Sequence, residues 1–74
     1  MFTVKVVDRS TGNPKKGALV MVCFDGLFRG VTDDEYTDSD GEAHFNNDNG
    51  TGIIYVDGEK EYEGRIEGRK VIYV

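Results

Sequence analysis

Short runs of β-branched and aromatic residues, separated by glycine and aspartate turn signals, dominate this 74-residue sequence. The clearest turn signals are Thr11-Gly12-Asn13-Pro14 and the stretch from Thr37 to Gly41, and each lies between two such runs. No window of a dozen residues has apolar positions at helical spacing, and ten glycines interrupt every candidate helix. The pattern therefore predicts an all-β chain with strands that recur roughly every 8 to 12 residues.

Alternation of apolar and polar residues predicts seven strands. In the first strand, Phe2, Val4 and Val6 alternate with Thr3 and Lys5, which is typical of a strand with one buried face. The predicted strands are residues 2–8, 18–24, 27–31, 42–46, 53–57, 60–67 and 69–74, with an acidic loop at 32–40 and a polar turn at 47–52. We expect residues 1–74 to form a single domain, a small antiparallel β-sandwich.

The turn motifs and the runs beside them resemble those of prealbumin-like (transthyretin-like) sandwiches, including carboxypeptidase regulatory-like and Cna B-type domains. The matching opening residues are Val4-Lys5-Val6-Val7-Asp8, Thr11-Gly12, Pro14, Gly17-Ala18, Val20 and Val22. Residues 37–45, Thr-Asp-Ser-Asp-Gly-Glu-Ala-His-Phe, are similar to the "TDxDGxAxF" hairpin of that family, and residues 52–58 fit the strand that follows. The resemblance covers residues 2–58 and implies a prealbumin-like Greek key. It implies little about function, because the superfamily includes stalks, adhesin repeats, accessory domains and a few enzymes.

Catalytic motifs are missing from the chain. Some transthyretin-like proteins hydrolyse 5-hydroxyisourate with several histidines, an arginine and a C-terminal Tyr-Arg-Gly-Ser tail at a tetramer interface. This chain has one histidine, His44, and ends in Lys70-Val71-Ile72-Tyr73-Val74. It also has no recognisable Ser-His-Asp set, phosphate-binding glycine loop or nucleophile elbow. We therefore predict that the protein is not an enzyme and needs no cofactor.

Charge and apolar run length argue against two classes of partner. The net charge is −5 and the nine basic residues are scattered, so binding to nucleic acid or to an anionic membrane surface is disfavoured. The longest apolar run, residues 18–24, is far too short to span a bilayer. The single cysteine, Cys23, excludes an intrachain disulfide, and no signal peptide is visible before the first strand. We expect a cytoplasmic location.

Acidic residues crowd the segment from 33 to 42, and crowded carboxylates can hold calcium. The candidate ligands are Asp33, Asp38 and Asp40. The interpretation that we favour is a solvated acidic hairpin without a metal. Strand parity places His44 on the polar side of its strand, and Cys23 is expected to point away from the core side shared by Phe45, so these two residues are not expected to form a zinc site.

The second predicted strand is apolar on both of its faces. The resemblance to prealbumin-like sandwiches implies that its core-facing residues are Ala18, Val20, Val22 and Phe24. Leu19, Met21 and Cys23 then face outward, with Leu27 and Phe28 at their rim. Such a strand is either covered on both faces or presents an apolar patch to a partner. Either the acidic loop covers this face, or a bulge shifts the parity, or the face binds a protein partner or forms a homodimer.

The favoured function is a non-catalytic protein-interaction or accessory module. The alternative is an extracellular structural or carbohydrate-contacting repeat, as the resembling families often are. An aromatic platform for a glycan would need the tyrosines, which are Tyr36, Tyr55, Tyr62 and Tyr73.

Overall fold

A computed structural model describes residues 1–24, 32–46 and 49–74 of the chain. These residues contain seven strands and no helix, which confirms the prediction of an all-β chain. The strands are β1 (Phe2–Val7), β2 (Leu19–Phe24), β3 (Thr32–Tyr36), β4 (Glu42–Phe45), β5 (Gly50–Val56), β6 (Glu59–Ile66) and β7 (Gly68–Tyr73). The strand predicted at residues 27–31 lies outside the described residues.

The strands form two sheets that pack together as a small sandwich. One sheet has three strands in the order β4-β1-β7, and the other has four in the order β3-β2-β5-β6. All neighbouring strands run antiparallel except β1 and β7, which run parallel. We had predicted that all strands would pair antiparallel, so the parallel pairing of β1 and β7 is a correction. Since β1 and β7 are joined through the rest of the domain, no short turn forces them to run in opposite directions.

Inward-facing side chains from both sheets form one apolar core. Among them, Phe2 connects the two sheets, because its ring stacks on Phe45 at 5.0 Å and lies edge-on to Phe24 at 5.7 Å. The largest fully buried side chains are Phe45, Ile54, Ile66, Val4, Val6, Val20 and Val22. The burial of alternate residues in β1 and β2 agrees with the parity predicted from the sequence.

Strand β3 replaces the first half of the predicted acidic loop. Residues 32–36 pair antiparallel with β2 and form the edge of the four-stranded sheet. Pairing with β2 outweighs the low strand propensity of aspartate and glutamate. Asp33 lies opposite Val22 and Glu35 lies opposite Val20, so both carboxylates occupy the core side of an edge strand. Charged residues in that position discourage a further strand from pairing there.

Strand β5 begins earlier than predicted, at Gly50 rather than residue 53. Gly50 and Gly52 had indicated a turn, but both pair with β6, opposite Ile66 and Gly64 respectively. A Cβ atom on Gly52 would overlap the carbonyl group of Cys23 on β2. Here glycine therefore allows two strand backbones to approach closely instead of turning the chain.

Thr37 is a buried polar residue that ties the end of β3 to the start of β2. Its Oγ1 donates to the carbonyl oxygen of Lys15 at 2.6 Å and accepts from the N–H of Ala18 at 2.9 Å. Its backbone N–H also donates to the carbonyl of Ala18, and its carbonyl accepts from the N–H of Gly17. With only 4% of its surface exposed, Thr37 gives these groups partners that water does not supply.

We expect Thr37→Val to destabilise the domain by about 1–3 kcal/mol, because it leaves the N–H of Ala18 and the carbonyl of Lys15 without the hydroxyl partner. The measurement is the free energy of unfolding from urea denaturation. Thr37→Ser keeps the hydroxyl and serves as the control, with a loss of about 0.8 kcal/mol for one buried methyl group. A valine variant that is no less stable than the serine variant would show that these hydrogen bonds contribute little.

Candidate functional site

The outer side of the four-stranded sheet carries half-buried apolar side chains on its central strands. In β2, Leu19, Met21 and Cys23 face outward between buried neighbours, which confirms the predicted parity. The alternative of a parity shift within β2 is therefore wrong. Leu27 and Phe28, predicted to form the rim of this surface, lie outside the described residues.

The sheet register extends this surface onto two more strands. Tyr55 and Ile53 of β5 lie opposite Met21 and Cys23, and Tyr36 of β3 lies opposite Leu19. We call the set the apolar face, and its members are Leu19, Met21, Cys23, Tyr36, Ile53 and Tyr55. The sequence interpretation missed the contribution of β5, although residues 53–56, Ile-Ile-Tyr-Val, show the same apolar character on both faces as β2.

The acidic segment does not fold over the apolar face along residues 32–36. These residues lie within the sheet as its edge strand, and Tyr36 leaves 68% of its surface exposed. The loop-cover alternative is therefore wrong for this part of the segment. Within the described ranges, the apolar face is the outer surface of the sandwich.

Charged residues border the apolar face on its two edge strands. Asp34 of β3 lies opposite Met21, and on β6 Lys60 lies opposite Tyr55 and Arg65 opposite Thr51. Lys60 forms an ion pair with Glu63, and the hydrogen bond from Lys60 to that carboxylate raises the pKa of the lysine. The β3 edge of the face is thus acidic, whereas both cations of the β6 edge are paired with carboxylates, Lys60 with Glu63 and Arg65 with Glu67.

A polar cluster lies on the opposite side of the sandwich, on the outer side of the three-stranded sheet. His44 is exposed there, as predicted, and its Nε2 lies 3.7 Å from Oδ2 of Asp38 and 3.9 Å from Oε1 of Glu42. Its Nδ1 contacts Oγ1 of Thr3 at 2.9 Å. Cys23 lies on the other outer face, so it does not approach His44.

Asp38 is held in the turn between β3 and β4. Its Oδ1 accepts from the backbone N–H of Glu42 at 3.0 Å and of Asp40 at 2.9 Å. The hydrogen bond from Glu42 is the main reason that the pKa of Asp38 lies below its usual value. The turn closes with a hydrogen bond from the N–H of Gly41 to the carbonyl of Asp38, as Asp-x-x-Gly turns commonly do.

The predicted calcium ligands are not gathered into one group. Among the described residues, the one set of three or more candidate ligands within 4.8 Å of one another is Asp38, Glu42 and His44. Asp33 belongs to β3, and Asp40 contributes a backbone N–H to the turn. Of the three predicted ligands, only Asp38 therefore belongs to the cluster.

The four tyrosines do not form one platform. Tyr36 and Tyr55 belong to the apolar face, on strands that flank β2. Tyr73 lies on the other sheet, and Tyr62 packs against the core with its hydroxyl donating to the carbonyl of Arg65. A glycan platform that uses all four rings is therefore incompatible with the fold.

The chain matches no protein-family model, no curated protein and no solved structure. The likeness to prealbumin-like sandwiches accordingly rests on the sequence motifs alone, in the turns and in the strands beside them. Among the described residues, no helix is long and apolar enough to cross a membrane.

Proposed function

We propose that the protein is a non-catalytic interaction module that associates with a second copy of itself through the apolar face. The observation that carries this proposal is the continuity of apolar side chains across β3, β2 and β5 on the outer surface of the sheet. Contiguous apolar patches of this kind are uncommon on monomers and mark interaction surfaces.

The physical basis is the two-sided apolar character of the central strands. β2 and β5 each have a neighbour on both sides, and each places apolar residues on both the core side and the outer side. Strands of this composition are usually covered on both faces. Association would remove Met21, Ile53 and their neighbours from water, at roughly 25 cal/mol for each Å² of apolar surface buried.

A second copy suits the distribution of charge around the apolar face. In a two-fold dimer the same patch meets itself, and when the axis runs parallel to the strands its opposite edges face each other. Such an axis would place the β3 edge with Asp34 near the β6 edge, where Lys60 and Arg65 lie in ion pairs, and an axis perpendicular to the strands would instead bring the two β3 edges together. The first orientation keeps the two acidic β3 edges apart, which like-charge repulsion favours.

We also propose kinship with prealbumin-like sandwiches. Support comes from the motif residues, since Gly12 and Gly41 have φ angles of 78° and 74° in turns between strands. These are backbone conformations that favour glycine, so the motif has a folding role.

Met21→Glu is expected to weaken self-association by about 10- to 100-fold, because burying a methionine contributes about 1.5–3 kcal/mol. The measurement is sedimentation velocity over a concentration series, with translational diffusion by NMR. Val71→Glu is the matched control, because Val71 is 41% exposed on the outer side of the three-stranded sheet. That variant should associate as the unmodified protein does.

Ile53→Lys changes the same surface from β5. If Met21→Glu disturbs the folding of β2, this second variant still tests the apolar face. Dispersed amide spectra must first show that each variant is folded. A monomeric unmodified protein throughout the concentration series, with unchanged Leu19 and Met21 resonances, would contradict the proposal. Equal weakening by Val71→Glu would point instead to the general effect of added negative charge.

A further inference from the structure

Three side chains of the polar cluster each direct one unshared ligand atom towards the others. The atoms are Oδ2 of Asp38, Oε1 of Glu42 and Nε2 of His44, and they lie within 4.8 Å of one another. The side chains come from a closed turn and from two alternate residues of β4, which point to the same side of the sheet. Strands hold ligand atoms more precisely than loops do, and this applies to Glu42 and His44.

The second polar atom of each side chain already has a partner outside the three. Oδ1 of Asp38 accepts two backbone N–H groups of the turn. Oε2 of Glu42 pairs with Nη2 of Arg69 at 2.8 Å, and Nδ1 of His44 contacts Oγ1 of Thr3 at 2.9 Å. The register explains both contacts, since Thr3 of β1 lies between His44 of β4 and Arg69 of β7. These partners orient the side chains before any ligand arrives.

Two of the three distances between the ligand atoms are close to those of a zinc site. Ligand atoms around a tetrahedral zinc ion, at about 2.0–2.2 Å from the metal, lie roughly 3.4 Å from one another. The distances from His44 Nε2 to the two carboxylate oxygens, 3.7 and 3.9 Å, exceed that value only slightly. The two carboxylate oxygens lie within 4.8 Å of each other, and both side chains are exposed enough to close around an ion. Calcium prefers six to eight oxygen ligands, whereas an imidazole beside carboxylates favours a transition metal.

We propose that Asp38, Glu42 and His44 bind one Zn²⁺ ion through Oδ2, Oε1 and Nε2, with water completing the coordination. An Nδ1–H of His44 that donates to Thr3 Oγ1 leaves the lone pair of Nε2 available to the metal. This site lies on the opposite side of the sandwich from the apolar face, so it is independent of self-association.

The test uses Zn²⁺ as the probe in a Cys23→Ser background, which removes the competing thiol. Calorimetric titration should give one ion per chain, and proton-nitrogen spectra of the imidazole should show a large shift at Nε2 of His44. Thr3→Val should weaken binding by about 10- to 100-fold, as loss of a partner to a metal-bound histidine usually does. Loss of a ligand in His44→Gln or Glu42→Gln should weaken it at least as much.

Asp40→Asn is the matched control, because it removes one negative charge from the same turn without removing a ligand. Its affinity for Zn²⁺ should stay within about twofold of the unmodified site, since an exposed charge contributes little. The proposal is overturned if His44→Gln retains binding, or if Asp40→Asn weakens binding as much as Glu42→Gln. It is also overturned if the ion does not saturate the site, or if Ca²⁺ shifts the imidazole as Zn²⁺ does.

Discussion

Phe45→Ala is expected to remove a large part of the stability of this domain. Phe45 is 2% exposed, and its ring stacks on Phe2, which in turn contacts Phe24 of the other sheet. Truncation of a buried phenylalanine to alanine usually costs about 3–5 kcal/mol. A domain of this length has a total stability of only roughly 4–11 kcal/mol, at about 0.05–0.15 kcal/mol per residue. The variant should therefore unfold at a much lower urea concentration.

Two further substitutions identify the source of this loss. Phe45→Leu keeps much of the apolar volume and should cost clearly less, because the cavity is smaller. Tyr73→Ala removes a ring that is 54% exposed and should change the free energy of unfolding by no more than about 0.5 kcal/mol. If Phe45→Ala unfolds at the same urea concentration as Tyr73→Ala, the core is not organised around this pair of rings.

Local alternation was sufficient to predict most of the strands and their buried faces. β1, β4 and β6 were predicted to within about two residues at each end, because a strand with one buried face has a period of two. β2 was predicted as closely from its unbroken apolar run. β3 was missed because its residues, Thr-Asp-Asp-Glu-Tyr, have little intrinsic strand preference. Its strand structure depends on pairing with β2, which the composition of the segment does not show. The parallel pairing of β1 with β7 was missed for a related reason, since periodicity indicates a face but not a neighbour.

The candidate surfaces likewise depend in part on the strand order, which the sequence did not give. The outward residues of β2 were identified from the resemblance to prealbumin-like sandwiches, because a strand that is apolar on both faces shows no alternation of its own. The contributions of Ile53, Tyr55 and Tyr36 required the strand order. Glu42 and His44 were expected on one side of their strand, but the approach of Asp38 required the geometry of the turn. The period of a strand does not specify any of these distances.

Gly41→Ala is the second substitution with a large expected effect. Gly41 has a φ of 74°, which costs an alanine about 1–2 kcal/mol. A Cβ atom there would lie 2.7 Å from the carbonyl oxygen of Val6, 2.9 Å from Cβ of Pro14 and 3.1 Å from the backbone nitrogen of Lys15. Backbone and a proline ring cannot rotate away, and the turn cannot shift without weakening the 2.7 Å hydrogen bond from the N–H of Val6 to the carbonyl of Gly41. Overpacking of this kind adds about 1–3 kcal/mol.

Gly12→Ala separates the two contributions, because Gly12 has a φ of 78° but nothing within 4 Å of a Cβ atom. This variant should lose only the conformational part, about 1–2 kcal/mol. The Gly41→Ala variant should lose more unfolding free energy than the Gly12→Ala variant, and the difference is the cost of the overlap. Urea unfolding of both variants under the same conditions measures that difference. Equal losses would mean that the turn moves away from β1 at little cost. In that case Asp38, which the same turn holds beside His44, would also be less firmly placed than the proposed zinc site requires.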